Sequence, residues 1–159
     1  MYFTLSSIHP NLECVEGLPD LSSFDSKNNN LVFIDELMSE TDQRVTKLFT
    51  KKSHHCNTSV TYLVKNVFSK GKESRTISIN AQHIVIFKNP RDNEQVVNLA
   101  KQMFPGRVKC MQEAFRDATP VRHGYLFVDL KQSTPEHLRL RNNIIPDSRT
   151  YQYTYIPKI

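Results

Sequence analysis

The sequence predicts an α/β domain of three layers, with a mainly parallel sheet and antiparallel strands added at its carboxyl-terminal edge. Three observations predict it. Short apolar runs with strand character alternate with segments whose apolar residues fall at helical spacing. Most of those runs end in polar residues, as strands do where a parallel sheet presents its carboxyl end to a ligand. And a run of four apolar residues, Leu31-Val32-Phe33-Ile34, closes on two adjacent carboxylates, Asp35 and Glu36. A run so short and so rich in Val, Phe and Ile reads as a strand buried on both faces.

Bulk composition bounds the rest. At 159 residues the chain has the length of one domain, residues 1–159, large enough to bury a core without disulfides. Hydrophobic residues make up 38% and charged residues 23%, the balance of a soluble globular protein. No apolar run approaches the ~20 residues needed to cross a bilayer, and the start Met1-Tyr2-Phe3-Thr4 lacks a signal-peptide pattern. The expectation is a nuclear or cytoplasmic protein without a membrane partner. Three separated cysteines, Cys14, Cys56 and Cys110, suit reduced thiols. A net charge of +5 and a pI near 9.2 permit contact with nucleic acid without establishing it.

In order along the chain, Asn11-Leu12-Glu13-Cys14-Val15 alternates weakly as a strand before Gly17 and Pro19. A polar stretch with three consecutive asparagines, Asn28 to Asn30, is a surface loop leading into the Asp35 strand. Ser39-Glu40-Thr41-Asp42 has the form of a capping box, and Val45, Leu48 and Phe49 continue at helical spacing, so a helix is predicted over 40–52. The next strand is Ser59-Val60-Thr61-Tyr62-Leu63-Val64, ending in Lys65-Asn66. A basic loop over 69–75 leads to a third strand, His83-Ile84-Val85-Ile86-Phe87, tipped by Lys88-Asn89-Pro90-Arg91-Asp92. Asp92 to Gln95 offers a second capping box, and Val96, Ala100, Met103 and Phe104 form an amphipathic helix stopped by Pro105-Gly106. Val108, Met111, Phe115 and Ala118 share one side of a further helix over 108–118. Gly124-Tyr125-Leu126-Phe127-Val128 is a fourth strand and also runs into a carboxylate, Asp129. Residues 138–145 alternate apolar and basic or polar side chains, the mark of a half-exposed antiparallel edge strand, and the aromatic-polar alternation after Tyr151 adds one more.

The acid pair carries the chemistry. At the carboxyl end of a parallel strand, Asp35 holds a Mg²⁺ ion through water, and Glu36 orients or deprotonates an attacking water; this is the Walker B arrangement. The alternative is a strand running into a helix whose first turn favours acids. Hydrolysis of ATP by such a site also needs a glycine-rich loop with a lysine to cradle the phosphates. The one near match, Gly71-Lys72, lacks Gly at Asn66 and Ser or Thr at Glu73, and is rejected.

Several ordered blocks extend this reading. They are Leu31-Val32-Phe33-Ile34-Asp35-Glu36-Leu37-Met38, then Ser53-His54-His55-Cys56-Asn57-Thr58-Ser59-Val60, then Asn66-Val67-Phe68 and Ser74-Arg75-Thr76-Ile77-Ser78-Ile79-Asn80. Phe87-Lys88-Asn89-Pro90-Arg91-Asp92, Ala100-Lys101-Gln102-Met103-Phe104-Pro105 and Leu138-Arg139-Leu140-Arg141-Asn142-Asn143-Ile144 complete the set. Together, over about 11–145 with 146–159 as a tail, they resemble the genome-packaging ATPases of the FtsK–HerA class, above all those of Polinton/Maverick-type elements and related animal DNA viruses. The resemblance implies a RecA-like P-loop NTPase core whose amino-terminal part is missing. It also implies ATP and Mg²⁺, double-stranded DNA as partner, a homo-oligomeric ring and a capsid. In such a protein Asp35 holds the metal and Glu36 activates water. Lys65, with Asn66 beside it, stands where the family usually has a glutamine that senses the γ-phosphate, and Cys56 stands where it commonly has arginine. The chain then reads as the carboxyl-terminal portion of a DNA-packaging motor, inactive alone for lack of the phosphate loop. The alternative is a non-catalytic remnant that binds nucleic acid or a partner.

The other candidates keep two readings each. Lys65 touches a phosphate as a cation or is simply solvated. His54-His55 beside Cys56 contributes to zinc binding or, better, to packing or subunit contact. Arg75 and Arg91, each expected just beyond a strand, stabilise charge on the γ-phosphate of a neighbouring subunit or form surface salt bridges. The loop from Lys70 to Arg75 faces DNA or is a solvated basic hairpin.

Overall fold

A computed structural model describes residues 11–19, 24, 27–35, 43–52, 57–68, 72–145 and 151–157. It is a mixed α/β structure in two compact units, Met1–Asn80 and Ala81–Ile159. The expected capping box at Ser39 to Asp42 and the His54-His55-Cys56 block lie outside the described residues.

The first unit is built on two parallel strands, β1 (Asn30–Asp35) and β2 (Thr58–Leu63), paired in the register Asn30↔Thr58, Val32↔Val60 and Asp35↔Leu63. The asparagine-rich entry fixes where the pair begins. The Asn30 amide donates to the Asn57 carbonyl at 3.0 Å, and Asn57 Nδ2 donates to Asn29 Oδ1 at 2.6 Å. Asn57 itself sits at φ 45°, a left-handed conformation that asparagine tolerates better than most residues.

Between the strands runs α1 (Gln43–Lys47), which widens into a π-helical turn over Leu48–Lys52. The turn brings Leu48 and Phe49 onto the same cluster as Val45, against Val32 and Ile34 of β1. A second helix, α2 (Lys72–Asn80), adds Ile77 to this core and packs on α1 and its π turn. Leu18, Phe24, Val60 and Tyr62 close the cluster.

Two expectations are corrected here. Residues 72–75, read as part of a basic loop, are the first turn of α2, with Glu73 in the position the helix dipole favours and Thr76 Oγ1 donating to the Lys72 carbonyl. The signal was weak because Ile77 alone faces the core. And 11–15 forms no strand; its residues are all exposed.

β1 is also not covered on both faces. Val32 and Ile34 are 6% and 5% exposed, whereas Leu31 and Phe33 are 59% and 63% exposed. Successive side chains point to opposite faces, so the two pairs divide strictly.

In the second unit, β3 (His83–Phe87) leads to α3 (Glu94–Met103), α4 (Val108–Ala118) and β4 (Tyr125–Asp129). The strands pair antiparallel, His83↔Asp129 through Phe87↔Tyr125. The mainly parallel sheet expected from the sequence therefore stops at β1 and β2 among the described residues. The reason is a count of reversals: each helix turns the chain back, and two helices between β3 and β4 leave the strands opposed, where one would have made them parallel.

The hairpin of helices turns at Pro105-Gly106, with Gly106 at φ 85° and the Phe104 amide donating to the Ala100 carbonyl at 2.8 Å. The N-cap of α3 is Asn93, one residue after the expected Asp92, and its side chain makes no capping bond. Gln95 Nε2 donates to Asp92 Oδ2 at 3.0 Å.

α4 spans the range its periodicity predicts and buries Met111, Ala114, Phe115 and Ala118. It packs against α3 and β4, whose Leu126 and Val128 are fully buried. After a 3₁₀ turn at Glu136–Leu138, β5 (Leu140–Arg141) pairs antiparallel with β4. The long edge strand expected over 138–145 is thus two residues. The tail does join it: an antiparallel bridge links Arg141 and Thr154, and the Tyr155 amide donates to the Leu140 carbonyl at 2.9 Å. No helix among the described residues is long and apolar enough to cross a membrane.

Single-sided burial of β1 makes a sharp contrast between neighbours. Ile34→Ala is expected to lower unfolding stability by about 2–5 kcal/mol, and Leu31→Ala to change it by less than about 0.5 kcal/mol. Urea titration of both variants checks this, and equal costs would contradict it.

Candidate functional site

The candidate site lies at the carboxyl end of the parallel pair. β1 places Asp35 at its last position, exposed, directly across from Leu63, the last residue of β2. Because the strands are parallel and in register, the segment leaving β2 begins at the same edge as Asp35. Lys65 is exposed on that segment, two residues past the strand. Asn66 accepts the Phe68 amide through Oδ1 at 2.7 Å, so its side chain closes an Asx turn that bends the chain at this edge. Glu36 lies outside the described residues.

A single exposed carboxylate at a strand end fits Mg²⁺ chemistry. That ion keeps several waters and is held by one or two carboxylates together with substrate phosphates, not by a closed protein cage. Among the described residues, no group of three or more His, Cys, Asp and Glu is placed to hold a metal by side chains alone.

The arginines separate. Arg75 is exposed on the body of α2, not just beyond a strand. Arg91 does follow a strand, exposed in the turn after β3, where its amide donates to Asn89 Oδ1 at 3.1 Å and the Asp92 amide to the Asn89 carbonyl at 3.2 Å. Arg91 belongs to the second unit, whereas Asp35, Lys65, Asn66 and Arg75 belong to the first.

Compared with protein-family profiles, curated proteins and solved structures, the chain matches none.

A second polar cluster was not foreseen from the sequence. Asp129, read there only as another strand-end carboxylate, lies beside His83 because β4 runs against β3. Its Oδ2 accepts from the Arg141 guanidinium at 2.9 Å, its Oδ1 accepts the Lys131 amide at 3.1 Å, and His83 Nε2 stands 3.8 Å away. The Phe127 ring is flanked by His83, stacked at 5.2 Å, and by the Arg141 guanidinium at 5.0 Å. The alternation around Arg139 and Arg141 was visible in the sequence; that Arg141 meets Asp129, with His83 from the start of β3 beside it, was not.

Burial by itself would raise the pKa of Asp129. Bonds from the Lys131 amide and Thr134, with His83 and Arg141 nearby, outweigh it and hold the carboxyl below the ordinary range. His83 is lowered, first by burial and then by Lys131 and Arg141, and the opposing pull of Asp129 at 3.8 Å is too weak to reverse this. The cluster locks β3, β4 and β5 together and leaves Asp129 engaged as a structural anion.

Both shifts act in one direction. At these two groups the folded unit binds fewer protons than the unfolded chain, so the stability they contribute is complete above about pH 6.5 and declines with acid. The decline comes in two steps, one as His83 protonates below about pH 6.5 and one as Asp129 protonates below about pH 3.9. His83→Gln is expected to abolish the upper step alone. Asp129→Asn, which strands a partly buried Arg141, is expected to cost about 3 kcal/mol near neutral pH and to flatten the lower step. Unfolding midpoints measured across pH check both, and a variant that leaves both steps in place refutes its assignment.

Proposed function

We propose that the chain is the carboxyl-terminal portion of an ATP-driven DNA-packaging motor of the FtsK–HerA type, acting inside the cell in a ring of subunits that moves double-stranded DNA into a capsid. The observation that carries this reading is the parallel β1–β2 pair, with Asp35 and the 64–66 segment leaving the sheet at one edge. Open α/β sheets bind ligands at that edge. A RecA-like core is proposed on the same ground.

In this reading Asp35 anchors Mg²⁺ through water at the strand tip, and Glu36, the next residue, takes a proton from the attacking water. When bound, the ion neutralises charge on the β- and γ-phosphate oxygens. Lys65, a cation where a neutral sensor is usual in the family, faces the terminal phosphate and supplies attraction without the geometry of an amide. Arg75 and Arg91 are the candidate cations for charge developing on a phosphoryl group in an assembled ring. The phosphate cradle is not encoded in the 159 residues, so ATP hydrolysis in this reading requires one supplied from elsewhere.

The 159-residue chain is therefore expected to hydrolyse little or no ATP. Joined to an upstream strand, phosphate loop and helix, it is expected to turn over ATP, and Glu36→Gln is expected to reduce that rate by about 100-fold or more, the usual contribution of a general base. Steady-state phosphate release measures both. Robust turnover by the 159-residue chain that is lost in Glu36→Gln contradicts the requirement for the missing loop, and turnover in the joined protein that survives Glu36→Gln contradicts the role of the acid pair.

A further inference from the structure

In the second unit, the end of β3 and the turn over 120–124 enclose an open cleft of about 470 Å³ that the packaging reading does not use. One wall is Phe87, Lys88 and Pro90; the other runs from Pro120 through Val121, Arg122 and His123 to Gly124. Two cations and a histidine line it, and no Asp or Glu is among the described residues that do.

The apolar part is as informative as the charge. Phe87 is 56% exposed, with its ring 5.9 Å from that of Tyr125 on the neighbouring strand, and Val121 is 69% exposed. An aromatic ring left open beside cations, on the surface of a sheet, is the arrangement that stacks unpaired bases while the cations take phosphates.

The turn that carries the cations is held in place. Thr119, buried, donates through Oγ1 to the Phe115 carbonyl at 2.7 Å, and the Gly124 amide donates to the Val121 carbonyl at 3.1 Å. A side chain at Gly124 would lie 2.8 Å from the Ala118 carbonyl oxygen, so the turn closes on the end of α4 because this residue is glycine. His123 is in the left-handed region at φ 65°, which histidine adopts more readily than most residues that carry a side chain. The turn is thus fixed by backbone and side-chain bonds at the edge of the cleft.

We infer that this cleft binds a single strand of nucleic acid, with phosphates on Lys88 and Arg122 and a base stacked on Phe87. A duplex offers phosphates but no free base face, and so leaves the ring unused. The inference goes beyond the packaging reading and involves neither ATP nor the Asp35 edge.

The test is fluorescence anisotropy with the full chain, using a labelled oligothymidylate of about 20 nucleotides and a duplex of equal length, over a range of salt. Wild type is expected to prefer the single strand. Lys88→Glu with Arg122→Glu is expected to weaken binding at least about ten-fold and to flatten the salt dependence by about 1.4 in log–log slope, for two lost phosphate contacts. Phe87→Ala is expected to cost about five-fold or more on the single strand, with little effect on the duplex, and Phe87→Tyr to retain binding. Lys109→Glu, at the far end of α4 from the cleft, is expected to change little. Circular dichroism verifies that the variants fold; all four positions are exposed. Absence of single-strand binding by wild type at low salt overturns the inference. So does binding that survives both the charge reversal and Phe87→Ala, or a preference for duplex untouched by Phe87→Ala.

Discussion

The first unit depends on the parallel pairing of β1 with β2. Parallel strands cannot be joined by a tight turn, so the chain must cross over between them, and α1 with its π turn lies on that crossover. The crossover in turn supplies Val45, Leu48 and Phe49 to cover Val32 and Ile34, so the pairing and the hydrophobic core of this unit form together. The same direction sends both strands out at one edge, which is why Asp35 and the segment carrying Lys65 and Asn66 leave the sheet together.

The second unit solves the same packing problem with the opposite topology. Two helices between β3 and β4 make an antiparallel sheet, and α4 packs on the hydrophobic face of β4. The other face is divided. Near Asp129 it is sealed by Arg141 and His83 around Phe127; near Phe87 it is open and basic. The sealed end holds three strands in register, and the open end is where the fold leaves aromatic surface beside cations. A buried anion with several donors holds geometry, whereas exposed cations without acids beside them are suited to binding.

Much of this was legible in the chain. The 108–118 helix was readable to the residue because Met111, Phe115 and Ala118 keep helical spacing without interruption. The strand ending in Asp35 was readable because four apolar residues in a row leave little choice. Four features were missed, for separate reasons. Strand direction in the second unit follows from the two helices between β3 and β4, both visible in the sequence, but the polar strand ends were read as the mark of a parallel sheet instead. Exposure of Leu31 and Phe33 depends on what packs above the sheet, which a run of apolar residues does not encode. The His83–Asp129–Arg141 cluster joins residues from three strands, and only the antiparallel register brings them together. The α2 helix was missed because a polar sequence with one buried isoleucine has little periodicity to detect.

The parallel register of β1 on β2 is open to direct measurement by nuclear magnetic resonance in the isotope-labelled chain. The account predicts interstrand contacts between the backbone protons of Val32 and Val60 and of Ile34 and Tyr62, in the staggered pattern of parallel strands, with slow amide exchange along both strands. Paired contacts running in the opposite order, or a register shifted by one residue so that Leu31 and Phe33 are the protected, buried side chains, would contradict it.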